Sequence, residues 1–170
     1  MDIKIVQNLC DILDGHLERY QALVDYVAQE KKYLLEQDLE GLFTSSRMKE
    51  ELAMEIQTNI NVLIDSINET ALMVGLPLDP QPLLADLVRH VPKPFDNRIN
   101  DGSIKLERLK NIILRENEAN RHFVEEAIRM VNESISILTG ANQLKGDGYN
   151  KDGSKGEKKL SLPVKLSKAV

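Results

Sequence analysis

Tryptophan is absent from this 170-residue chain, and aromatic residues make up only 4% of it. Sheets draw on aromatic and β-branched alternation, so this scarcity argues against an all-β fold. Cysteine occurs once, at Cys10, which excludes an intrachain disulfide and any metal site built from cysteines. No apolar run approaches the ~18 residues that mark a membrane-spanning helix. The opening residues, Met1-Asp2-Ile3-Lys4, lack a basic segment followed by a continuous apolar core, so no secretory signal is expected. These absences predict a cytoplasmic protein without stable membrane insertion.

Reactive constellations are missing as well. The three histidines are His16, His90 and His122, and none stands in the Glu-x-x-His spacing of a di-iron helical bundle. Glu118 and His122 lie four apart, which suits an ion pair on a solvated helix face better than a metal site. His16 falls on an apolar stripe and reads as a partly buried polar residue rather than a ligand. Gly146-Asp147-Gly148 has neither the strand before it nor the helix after it that a phosphate loop needs. No serine or threonine has the strand-turn-helix setting of a nucleophile elbow. Asn68-Glu69-Thr70 and Asn132-Glu133-Ser134 match the glycosylation triplet, but both fall inside helices of a chain read as unsecreted. The expectation is a protein that is not an enzyme and uses no cofactor and no metal.

Charge is unevenly spread. The formal net charge is −5; seven lysines against three acids from Gly140 onward give that end +4, which leaves −9 for residues 1–139. An acidic body argues against nucleic-acid binding by the folded part. The basic end can touch an acidic surface, or simply be a solvated tail.

What the chain does have is helical periodicity. Val6, Leu9, Leu13, His16, Tyr20, Leu23, Val27, Glu30 and Leu34 recur at steps of three and four, the spacing of a coiled-coil seam. They predict a first helix over residues 3–37, weakened at Gly15 by roughly 1 kcal/mol relative to alanine. Asp38 is a good N-cap. A second helix over residues 39–74 carries the seam Leu39, Leu42, Ser46, Lys49, Ala53, Ile56, Ile60, Leu63, Ile67, Thr70 and Val74, and Gly75 and Pro77 stop it. Asp79-Pro80 predicts a short helix over residues 80–90, broken by Val91-Pro92-Lys93-Pro94. Phe95 to Asp101 reads as a connector. A third long helix is expected after Asp101-Gly102-Ser103, running to Thr139 with Gly140 as its cap; its early seam is Leu106, Leu109, Ile113, Glu116 or Asn117, and Asn120.

Such helices cannot bury an apolar stripe alone. The predicted fold is all-α: an elongated antiparallel bundle of three long helices, with a short helix in the crossover and a flexible C-terminal tail. The expected division is a helical bundle domain over residues 1–140 and a flexible basic tail over residues 141–170.

The last long helix carries the feature best suited to binding. Phe123, Val124, Ala127, Ile128, Met130, Val131, Ile135, Ile137 and Leu138 cover an arc of about 180° at 100° per residue, wider than a two-helix seam. Either the first two helices cover this arc together, or part of it stays open as a groove for a partner's amphipathic helix. Asn117 and Asn120 interrupt the apolar face. They are either register devices within the bundle or hydrogen-bonding groups for a docked peptide.

Two stretches of sequence carry a resemblance. Tyr33-Leu-Leu-Glu-Gln-Asp-Leu-Glu-Gly-Leu-Phe43 is followed by Lys49-Glu-Glu-Leu52, and Glu116-Asn-Glu-Ala-Asn120 precedes an apolar helix ending in Leu138-Thr139-Gly140. A tail from Gly146 to Gly153 with Tyr149 follows. This order, over roughly residues 5–155, resembles the FlgN-type flagellar export chaperones. The Pro-rich segment 76–100 and the Lys-rich last fifteen residues depart from that pattern. The resemblance implies a type III export chaperone. Such a protein binds C-terminal helical segments of hook–filament junction proteins in the cytoplasm, prevents their premature assembly and delivers them to the export gate. It implies client-protein binding through Asn117, Asn120, Phe123, Val124, Ile128, Met130, Val131, Ile135 and Leu138. It also implies export-gate contact through Tyr149, for which a lone tail aromatic is the plain alternative. The competing reading is a self-associating structural coiled-coil protein without a client.

Overall fold

The structure is a computed structural model and describes residues 2–139. The chain divides into two units, Met1–Glu125 and Glu126–Val170. Every regular element among the described residues is a helix: α1 (Ile3–Glu36), α2 (Leu39–Met73), α3 (Leu84–Leu87) and α4 (Phe95–Leu138).

The first unit starts with a capped hairpin. The Asp2 carboxylate accepts from the Lys4 amide at 2.9 Å and opens α1. At its end Gln37 takes the left-handed conformation (φ 59°), and the Asp38 amide donates to the Tyr33 carbonyl at 3.0 Å. Asp38 then caps α2 through the Gly41 amide at 3.0 Å. A Cβ on Gly41 would fall 2.6 Å from the Tyr33 ring, so the glycine makes room for that aromatic against the turn. Pairs across the hairpin are His16 with Asn59, Arg19 with Glu55, and Glu30 with Lys49. The partner number falls along α2 as it rises along α1, as in two helices of opposite direction. Gly75 ends α2 region with φ +78°, while the Leu76 amide reaches back to the Ala71 carbonyl at 2.9 Å.

Two clusters of buried side chains fill the unit. The larger joins Leu9 and Leu13 of α1, Leu63 and Ile67 of α2, Leu87 of α3, and Ile99 and Leu106 of α4. The smaller comprises Leu23, Val27, Ile56 and Ile113. Partners on α4 rise with α1: Arg98 pairs with Asp14, and Lys31 with Glu116.

Two local expectations are corrected. The helix expected over residues 80–90 is only Leu84–Leu87. The Asp86 carboxylate accepts from the Leu83 amide at 2.8 Å and starts it there, two residues beyond the last of the leading prolines. Residues 95–101 are not a connector; they are the first turns of α4. Asp101-Gly102-Ser103 resembles a helix start, but Gly102 serves a close approach. A Cβ on it would lie 2.6 Å from Leu13 Cδ2, and Ile99 just before it is fully buried.

Of the second unit, residues 126–139 are described: the continuation of α4 to Leu138, and then Thr139 in a turn. Gly140, the tail 141–170 and Tyr149 lie outside the described residues.

Candidate protein-binding face

In the first unit, the apolar core gives way to polar groups between α1, α2 and α4. Glu30 is 5% exposed, although it is charged. Its carboxylate accepts from Lys49 Nζ at 2.6 Å, and the same ammonium donates to Asn117 Oδ1 at 3.3 Å. Asn120, 7% exposed, donates its side-chain amide to the Val27 carbonyl at 3.1 Å. The Ser45 hydroxyl donates to the Tyr26 carbonyl at 3.2 Å. Seam positions explain the arrangement: Glu30 and Asn120 occupy places where the repeat calls for an apolar side chain, so both point inward and must find partners. The Glu30–Lys49 pair was readable as two opposite charges on facing seams, but single-helix periodicity gives no sign that they meet.

Nearby, Glu116 accepts from Arg115 at 2.9 Å and from Lys31 at 3.2 Å. These bonds, Arg115 first, hold its carboxyl below the usual glutamate range. Deeper in the core, burial pushes the Cys10 thiol up. His16 places Nε2 3.0 Å from the Asn59 carbonyl. A carbonyl only accepts, so that nitrogen carries the hydrogen; Nδ1 has no protein partner. Phe123 and Val124 face solvent, Val124 at 37% exposure.

In the second unit the expected residues Ile128, Met130, Val131, Ile135 and Leu138 are all exposed, from 52% at Ile135 to 86% at Leu138. Ile137 joins them. Arg129 bridges Glu126 at 2.6 Å and Glu133 at 3.0 Å along the helix. Those i, i+3 and i, i+4 pairs support the helix itself and leave the apolar positions uncovered. The Ser134 and Thr139 hydroxyls are also turned back onto the helix, donating to the Met130 and Ile135 carbonyls at 2.8 Å.

Thus the expected residues sort into two kinds. Asn117 and Asn120 are engaged within the first unit, whereas the apolar ones are open. No helix among the described residues is long and apolar enough to cross a membrane.

These features define an all-helical protein that presents an apolar helix face to solvent. The chain belongs to the FlgN family: the pattern of that family, described as FlgN protein, matches residues 1–157. FlgN is a family of chaperones in flagellum biogenesis, not of enzymes. No curated protein and no solved structure matches the chain.

Proposed function

We propose that this protein is a flagellar type III export chaperone. It binds C-terminal helical segments of hook–filament junction proteins in the cytoplasm, keeps them from assembling prematurely and delivers them to the export gate. The observation that supports this reading is the exposure of Ile128, Val131, Ile135 and Leu138 in a FlgN-family chain. Their steps of three, four and three make one apolar stripe. A client's amphipathic helix buried against it would gain roughly 1.5–3 kcal/mol for each such side chain fully removed from water. Phe123, Val124 and Met130 add to the client face. Met130 has the flexible side chain that adaptable surfaces favour.

The arrangement this reading uses is an antiparallel bundle of α1, α2 and α4 with α3 in the crossover, forming a domain over residues 1–140. The opposed pairing of α1 with α2 and the shared core support it. Residues 141–170 then act as a basic tail, with Tyr149 contacting the export gate. No residue is assigned a catalytic role. The stripe's heptad-like spacing favours a second reading, self-association through the same face. Calorimetric titration with C-terminal peptides of the hook–filament junction proteins separates the two: a saturable complex supports the chaperone, and a dimer indifferent to peptide supports the coiled coil.

A further inference from the structure

The polar layer of the first unit is expensive for a structural device alone. Glu30 is buried, yet it is held by a lysine that must also satisfy Asn117, and Asn120 is committed to a main-chain carbonyl. Apolar side chains at these places would continue the core formed by Leu23, Val27, Ile56 and Ile113. Replacing buried ionic groups with well-packed apolar ones is often neutral or stabilising, so stability does not explain the layer. An apolar layer has no directional bonds and tolerates sliding. This layer does not, because its hydrogen bonds hold each group at one level.

We propose that Glu30, Lys49, Asn117 and Asn120 are positioning residues for the client face: together they fix the axial register and rotation of α4 on the α1–α2 hairpin. The consequence falls on the next turn of α4. Asn120 points into the unit, so Phe123 and Val124 stand where they are open to a client. A slip of one heptad would move α4 by about 10 Å along its axis and bring Asn120 opposite a different level of α1. This inference rests on the chaperone reading for its functional half; the register lock stands by itself.

The test uses the full chain with spin labels on cysteines placed at Gln29 of α1 and His122 of α4, both exposed. The native protein is expected to give one narrow inter-label distance. The variant Glu30→Leu/Lys49→Leu/Asn117→Leu/Asn120→Leu is expected to stay helical and to melt no lower. It should nevertheless show a second distance or a broad one, and bind the client peptide at least tenfold more weakly. Exchanging the charges in the native protein instead, Glu30→Lys with Lys49→Glu, should keep the single distance, because Asn117 can turn its amide to donate instead of accept. One narrow distance in the leucine variant would overturn the lock. A changed distance with unaltered peptide affinity would overturn the positioning role. If the native protein binds no peptide, the chaperone reading fails, and the distances still decide the lock.

Discussion

The side-chain amide of Asn120 on α4 donates to the main-chain carbonyl of Val27 on α1 at 3.1 Å, in a setting where Asn120 is 7% exposed. Because water has little access there, no solvent molecule can take over that bond without cost. The Val27 carbonyl keeps its main-chain bond inside α1, so Asn120→Ala is expected to destabilise the protein by about 0.5–1.5 kcal/mol, the net worth of the lost side-chain hydrogen bond. Chemical denaturation followed by circular dichroism measures it. An unchanged midpoint would show that the side-chain bond adds nothing to stability.

The contact between Gly102 and Leu13 makes a different prediction. Alanine is the better helix former by about 1 kcal/mol, so Gly102→Ala would stabilise an open helix face. Here the new methyl would stand 2.6 Å from Leu13 Cδ2 and 3.1 Å from its Cγ, and Leu13 is fully buried, so that side chain must shift within the core. The expected net effect is a loss of about 1–3 kcal/mol. In a Leu13→Ala background the sign should reverse, since the methyl then enters the space the leucine vacated. A double-mutant cycle measures this coupling. Equal effects of Gly102→Ala in both backgrounds would refute the close approach.

At the hairpin turn, neighbouring residues should respond in opposite directions. Asp38→Ala removes the acceptor of the Gly41 amide and is expected to cost about 1 kcal/mol. Gln37→Gly relieves a left-handed conformation and should stabilise by up to about 1 kcal/mol, less the entropy that glycine adds to the unfolded chain. Thermal melts of the two variants check the signs.

Glu116 gives the protein a dependence on acidity. Its folded pKa is depressed, chiefly by hydrogen bonds from Arg115 and Lys31. Folding therefore favours the carboxylate. The contribution is complete above the ordinary glutamate pKa and is lost as pH falls from there through the lower folded value. Accordingly, Glu116→Gln should lower the melting temperature at neutral pH, and the gap from the native protein should close on acidification through that window. A gap that widens instead would reverse the assigned direction of the shift.

Much of this architecture is legible from residue spacing. Seven of the nine seam positions named for α1 are buried: Val6, Leu9, Leu13, His16, Leu23, Val27 and Glu30. Asp38 marks the turn because a carboxylate before a run of amides has a specific use. Legibility fails where a residue serves a neighbour rather than its own helix. Gly102 looks like punctuation and is a contact with Leu13. Early in α2 the seam places Ser46 inward, but Ser45 is the buried one, because the polar layer draws it to the Tyr26 carbonyl. In the site, the apolar spacing of residues 123–138 was plain; whether anything covers it depends on which other helices lie alongside, and periodicity within one helix carries no such information.

The central claim is that the open apolar face of α4 holds a client's helical C-terminus. The most direct measurement is an isothermal titration of the native protein and of Ile128→Asp and Ile135→Asp with C-terminal peptides of the hook–filament junction proteins, with helix content checked in parallel. Both substitutions fall on exposed positions, so the fold should persist. The account predicts saturable binding by the native protein and at least a tenfold loss in each variant, since a charge on the stripe has no partner once the client covers it. Binding of equal strength by all three proteins, or none by a fully helical native protein, would contradict it.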